Sequence, residues 1–294
     1  MWYVASVVSD HSLAKVHSQK NSLKYFNTGI PKTIDGDLKH ELIPISFGFD
    51  TATKVYSELI GNVGTDALSS RKKFHFVRLM GRSASHVTLE CALKCRPNLV
   101  FIGEEIRANK WTLSDITTQL VDMIEARMKQ GTPFGLVLLP EGMIEFIDEI
   151  GVLIKEINEV LGSNQHGDVD ITKHLTNASK TTWMSLPTEI QNQLQLDRDS
   201  HGNVTVSQIE TEKLLVQCAL SEMRRRNNVD ISKFKYQNHF FGYEGRSALP
   251  SNFDSTYVVF LIFFFCVGIT SLTFLCYHEN YVTHSYHSNT GTLE

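Results

Sequence analysis

The chain has 294 residues, of which 42% are hydrophobic and 20% charged, a balance ordinary for a packed globular protein of one large or two moderate domains. A formal charge of -4 and a pI near 6.3 provide no global field that would draw in nucleic acid or an anionic membrane. Any phosphate-binding site must therefore be a local cluster of Lys, Arg and backbone N–H groups.

Residues 1–27 show no clear hydrophobic period and are left unassigned. From Gly29 the character changes: Gly29 to Asp37 ends a short apolar stretch with a Pro and a Gly, as a loop at a strand's C-terminal edge does. The spacing of Val55, Leu59, Ile60 and Val63 predicts a helix over 49–68, weakened in its second half by Gly61 and Gly64. Apolar runs then alternate with amphipathic ones. Strands are expected at 74–80, 99–102 and 136–139, with helices at 83–95, 113–129 and 143–161 between and after them. This is the pattern of βαβ units on a mainly parallel sheet, an α/β fold of Rossmann-like character. In such sheets ligands sit beyond the strand C-termini, so the loops at Pro31, Gly81 and Pro140 are expected to converge.

Residues 162–203 are rich in Asn, Asp, His and Ser and read as a polar helical insertion, about 162–205, or as peripheral helices rather than sheet. A helix is expected over 207–226, with Arg224 to Arg226 as its solvated, dipole-complementing end, and a strand over 238–243. The tail breaks the pattern, because Ser255 to Tyr277 carry no charge and are long enough to cross about 30 Å of hydrocarbon. That stretch is a candidate transmembrane helix, a buried core helix or a piece of sequence foreign to the fold, and a polar tail, 278–294, follows it.

The cysteines, Cys91, Cys95, Cys218, Cys266 and Cys276, are odd in number and contain no CxxC pair, which favours reduced, buried thiols in a cytosolic protein. Cys91 and Cys95, one helical turn apart, read as core. His75, His86 and His239 are too scattered for a metal site and read as packed or hydrogen-bonded at strand and helix ends, and Gly61 to Asp66 reads as a helix break rather than a phosphate loop.

Phosphoryl transfer to a sugar hydroxyl needs a base for the hydroxyl proton, a metal to bridge phosphate oxygens and cations to hold shifting charge. The segment Lys32-Thr33-Ile34-Asp35-Gly36-Asp37 supplies all three kinds of group. Its two carboxylates flank a glycine that lets the backbone turn sharply or approach a ligand.

Five segments in order resemble the phosphofructokinase superfamily. They are Pro31 to Asp37, Ser46 to Ala52 (SFGFDTA), Met80 to His86 (MGRSASH), Pro140-Glu141-Gly142 and Phe240 to Arg246 (FFGYEGR). The fit is best to the long pyrophosphate-using branch of plants and spirochaetes, of the catalytic beta-subunit type, and covers Gly29 to Asp254. The resemblance implies a partial phosphofructokinase domain over 28–254. It also implies a glycolytic diphosphate–fructose-6-phosphate 1-phosphotransferase reaction with Mg²⁺, in which pyrophosphate phosphorylates fructose 6-phosphate reversibly. Asp35 would accept the 1-hydroxyl proton and Asp37 would position metal and phosphoryl group. Thr33, Ile34, Met80, Gly81 and Arg82 would line the sugar site, with Glu141 on the sugar hydroxyls. Tyr243, Glu244, Gly245 and Arg246 would grip the 6-phosphate, a task suited to the planar guanidinium fork. Lys72 and Lys73 would reach a neighbouring subunit's substrate, which implies a homo- or hetero-oligomer. Lys32 stands where ATP-using relatives carry Gly, and its ammonium would balance charge on the leaving phosphate.

The family's first half-domain, with its Gly-rich diphosphate loop and metal-binding Asp, should precede Gly29, and residues 1–27 do not resemble it. The expectation is a chain truncated at both ends, with little or no activity of its own. Other readings are an ATP-dependent enzyme, a non-catalytic regulatory subunit, which the intact Asp35 disfavours, and a membrane-anchored fragment.

Overall fold

Two short hydrophobic runs that are buried on both sides set the architecture. Phe74–Leu79 (β1) and Gly135–Pro140 (β3) are buried along their whole length, as strands in the middle of a parallel sheet must be. Leu99–Val100 (β2) joins one side and Tyr236–Phe241 (β4) the other, giving an all-parallel sheet in the order β2-β3-β1-β4. The computed structural model describes residues 33, 35–36, 45–81, 84–163, 171–196 and 204–263.

Helices occupy both faces. Phe49–Ser70 (α1) and His86–Cys95 (α2) cover the first face, where Ala52, Tyr56, Ile60, Val87 and Cys91 meet Val77, Leu79, Leu136 and Leu138. Gly103–Asn109 (α3), Leu113–Lys129 (α4), Asp148–Ser163 (α5), Asn177–Ser185 (α6), Thr188–Leu196 (α7) and Thr211–Arg226 (α8) build the larger core on Phe74, Phe76, Val137 and Leu139. The alternation of these two sets along β1 and β3 follows from the two-residue period of a strand.

Local chemistry explains the boundaries. A capping box starts α4, with Thr112 Oγ1 accepting from the Asp115 amide at 3.2 Å and Asp115 accepting from the Thr112 amide at 2.9 Å. The expected helix over 83–95 begins only at His86, because Ser85 is tied to α3. Its amide donates to Glu104 at 3.0 Å and its hydroxyl accepts from the Gly103 amide at 2.8 Å. Gly61 and Gly64 do not break α1, contrary to expectation: a side chain at Gly61 would meet nothing within 4 Å, and the helix runs on to Ser70. The buried stripe of α1 is Ala52, Tyr56, Ile60 and Ala67, while Val55, Leu59 and Val63 are half-buried.

The single helix expected over 143–161 is two elements, a 3-10 turn, Met143–Phe146, and α5. Met143, Ile144, Phe146 and Ile147 are all buried, and the break falls at Ile147, whose backbone is extended (φ -87°, ψ 109°) and so ends the 3-10 turn before α5 begins. The segment 162–205 is likewise not peripheral. Ile171, Leu175, Trp183, Leu186, Ile190 and Leu194 belong to the larger core, and among the described residues there the elements are helical.

A second compact unit starts at Asn252 and contains a helix over 252–263. Among the described residues no helix is long and apolar enough to cross a membrane. Most of the uncharged stretch, 264–277, lies outside the described residues, as do segments 1–27 and 278–294.

Candidate active site

The chain leaves β1 towards α2 on the first face and leaves the neighbouring β3 towards the other face. Adjacent strands that diverge in this way open a crevice at their C-terminal ends, where α/β sheets bind ligands. Leu79 is in register with Pro140 on one side and Phe241 on the other, so three loops start side by side.

Backbone bonds lock these loops together. The Met80 amide donates to Phe241 O at 3.2 Å, the Glu141 amide to Leu79 O at 2.8 Å and the Gly142 amide to Gly81 O at 3.1 Å. The buried Glu141 carboxylate accepts from the Gly81 amide at 3.2 Å. At φ 142°, with a would-be Cβ 3.0 Å from Ala84 O, position 81 requires glycine. Arg246, exposed at the end of the helical turn Tyr243–Arg246, reaches back to Met80 Sδ at 3.4 Å and lies 5.2 Å from the Tyr243 ring centre. Among the described residues it makes no ion pair, so its guanidinium edge is available to an anion.

The Asp35 loop comes to the same end of the sheet. The Asp35 amide donates to Thr33 Oγ1 at 3.2 Å. A side chain at Gly36, where φ is 75°, would meet the Phe49 ring at 3.0 Å and His86 Cβ at 3.5 Å, which are the first residues of α1 and α2. The buried Tyr56 lies against the Arg246 turn, where a Cβ at Gly245 would meet its ring. Burial first, then the nearby Glu244, pushes the Tyr56 hydroxyl far above the ordinary tyrosine range; Arg246 opposes the shift and Asp35 adds to it.

Thr33, Asp35, Met80, Gly81, Glu141, Tyr243, Glu244, Gly245 and Arg246 are thus gathered at one sheet end. Lys32, Ile34, Asp37 and Arg82 lie outside the described residues. Lys72 and Lys73 stand exposed before β1, at the opposite end of a six-residue strand, roughly 20 Å away. They cannot serve this chain's own crevice. Among the described residues no three His, Cys, Asp or Glu side chains form a metal-holding group.

His75 and His239 are packed and hydrogen-bonded, as expected: across β1 and β4 their rings stack 5.2 Å apart, and Nδ1 of His75 shares a hydrogen bond of 3.0 Å with Nε2 of His239. One expectation near the sheet is corrected. The Arg224 to Arg226 run is only partly solvated. Arg226 is largely covered, with Nε on Glu222 at 2.7 Å and its guanidinium also on Asp122. As expected, Cys91 is buried and Cys95 half-buried, both as free thiols, and burial pushes the Cys91 thiol up to about 12.

A family profile described as "Phosphofructokinase" matches residues 9–185. The chain belongs to the phosphofructokinase family. The match begins at residue 9, inside segment 1–27, which corrects the expectation that the resemblance starts only at Gly29. This phosphofructokinase chain is 53% identical over 248 residues to pyrophosphate--fructose 6-phosphate 1-phosphotransferase subunit beta of Ricinus communis, covering 83% of this chain and 45% of that protein. It is 50% identical over 242 residues to the pyrophosphate--fructose 6-phosphate 1-phosphotransferase of Treponema pallidum, covering 78% of this chain and 42% of that protein. The chain therefore spans less than half the length of these curated relatives. Among solved structures, phosphofructokinase from Saccharomyces cerevisiae aligns with a TM-score of 0.47 and 14% identity over 84% of this chain and 23% of that one, too slight a likeness to add to the assignment.

Tyr56 is the site residue that sequence reasoning missed. Its position four residues before Ile60 on the helix was the available signal, but a tyrosine there reads as core.

Proposed function

We propose that this chain carries the acceptor-sugar half of a pyrophosphate-dependent fructose 6-phosphate 1-phosphotransferase. The observation that carries the reading is the convergence of Glu141, Arg246 and the Asp35 loop beyond the C-terminal ends of β1, β3 and β4. Arg246, with Tyr243, Glu244 and Gly245, holds the 6-phosphate, and Glu141, Thr33, Met80 and Gly81 border the sugar. The 1-hydroxyl passes its proton to Asp35 as its oxygen bonds to the transferring phosphorus. The bond to the bridging oxygen of pyrophosphate then breaks, and phosphate leaves. Ile34 and Arg82 complete the sugar site, and Lys32 neutralises the departing phosphate, which favours pyrophosphate over ATP as donor.

Mg²⁺, when bound, would offset charge on the phosphate groups. Asp37 is its proposed ligand. Lys72 and Lys73, remote from their own crevice, fit a role at a neighbouring subunit's substrate, and so an oligomer of phosphofructokinase subunits. Soluble, charged substrates suit a cytoplasmic setting. The test is calorimetric titration of this chain with fructose 6-phosphate. Binding is expected, and Arg246→Ala should weaken it at least about tenfold, the loss of one charge-assisted contact. No binding, or equal binding by both proteins, would overturn the reading.

A further inference from the structure

Gly242 is the pivot at which β4 ends and the phosphate-gripping turn begins, and two aromatic rings, the buried Tyr56 and the exposed Phe240, hold it from opposite faces of the sheet. On the first face the Tyr56 hydroxyl donates to Gly242 O at 2.6 Å, across 186 positions of sequence. The same ring presses on the turn itself, since a Cβ at Gly245 would fall 2.3 Å from it. On the second face the Phe240 ring lies 3.0 Å from the place of a Gly242 Cβ and carries the Arg78 guanidinium 4.0 Å from its centre. Arg78 is itself fixed to Glu212 at 2.7 Å and to Ile209 O at 3.1 Å.

From this geometry we infer that Tyr56 is a positioning residue for the hexose 6-phosphate. By fixing Gly242 and the underside of Gly245 it sets where Arg246 points. The inference rests on the function proposed above. Tyr56 touches neither phosphate nor sugar, and its effect must pass through Arg246. Its hydroxyl suits the task because burial keeps it protonated, so it remains a donor throughout the range in which the protein is folded. The Arg78 and Phe240 clamp is untouched by changes at Tyr56, so removing the hydroxyl alone leaves the second support in place.

The experiment is a double-mutant cycle on this chain, read as fructose 6-phosphate affinity, with the parent, Tyr56→Phe, Arg246→Ala and the double variant. Tyr56→Phe keeps the ring and should weaken binding about three- to tenfold, as one hydrogen bond does. With Arg246 already removed, the same change should alter affinity less than about twofold, because residues acting through one another are not additive. A merely structural role would weaken both backgrounds alike. Hydrogen exchange gives a second readout: Tyr56→Phe should speed exchange of the amides of 245–247 and leave β1 and β3 unchanged.

Parent-like affinity for Tyr56→Phe, equal weakening in both backgrounds, or unchanged exchange at 245–247 would each overturn the inference while leaving the sugar site intact. A parent that does not bind, or an Arg246→Ala variant that binds as the parent does, overturns the site reading and this inference with it.

Discussion

The two faces of the sheet are built from the same strands and differ in depth. On the second face six helices of the described residues bury a long apolar core and even enclose an ion pair, Arg78 with Glu212, both nearly inaccessible to solvent. Among the described residues the first face is covered by two helices. Its interior includes polar groups that depend on individual partners, namely the Tyr56 hydroxyl, the His75 and His239 pair and Cys91. The thick face supplies stability. The thin face, where a few directed bonds set the loop positions, orients the site.

The largest effect separating the faces should come from Glu212→Ala. It strips a buried arginine of its counter-charge, and urea unfolding should show a loss of about 3–5 kcal/mol. Burial raises the Glu212 carboxyl above its ordinary range in spite of Arg78, evidence of how dry the pair is. Replacing Arg78 and Glu212 together with methionine should cost much less, since no unpaired charge remains.

Next come cavities. Ile124→Ala, in the thick core, should cost about 3–4 kcal/mol, and Ile60→Ala, under the thinner layer, about 2 kcal/mol, because the site with fewer layers around it collapses more readily. Equal losses would mean that the two faces are equally rigid.

A smaller effect should appear with pH. Burial, aided for His75 by its neighbour His239, lowers the pKa of both imidazoles below the ordinary value. Asp66 opposes the shift at His75 and Lys73 adds to it. A lowered folded-state pKa means that protonation favours the unfolded chain. The pair's contribution is therefore whole above about pH 6.5 and is lost as the pH falls. Melting temperature should drop between pH 7 and pH 5.5, and exchanging both histidines for glutamine should flatten that limb.

The smallest effect should be at the surface. Lys54→Ala removes an exposed helix pair with Asp50 and should shift stability by no more than about 0.5 kcal/mol.

The same contrast explains what could be read from sequence. β1 and β3 were visible because their continuous apolar runs are the direct mark of strands buried on both sides, and α4 was predicted over the same residues it occupies. That Met80, Glu141 and Arg246 would lie near one another was legible because the loops after neighbouring parallel strands must emerge at one end. Joining features set by distant parts of the chain were not legible. Tyr56 and Gly242 meet across 186 positions, and His75 meets His239 across 164, through a register that neither strand encodes alone. The core role of 162–205 was obscured for another reason. Trp183, Leu186, Ile190 and Leu194 do fall at helical spacing, but they are diluted by polar neighbours on the solvent side.

The most direct test of the central claim, that these loops form a hexose-phosphate site, is a crystal structure of the chain soaked with fructose 6-phosphate. The 6-phosphate should lie on Arg246 beside Tyr243, with the 1-hydroxyl directed at the Asp35 loop and the sugar near Glu141. Sugar density elsewhere, for instance in the groove between Leu113, Leu186 and Arg224, with these loops left empty, would contradict it.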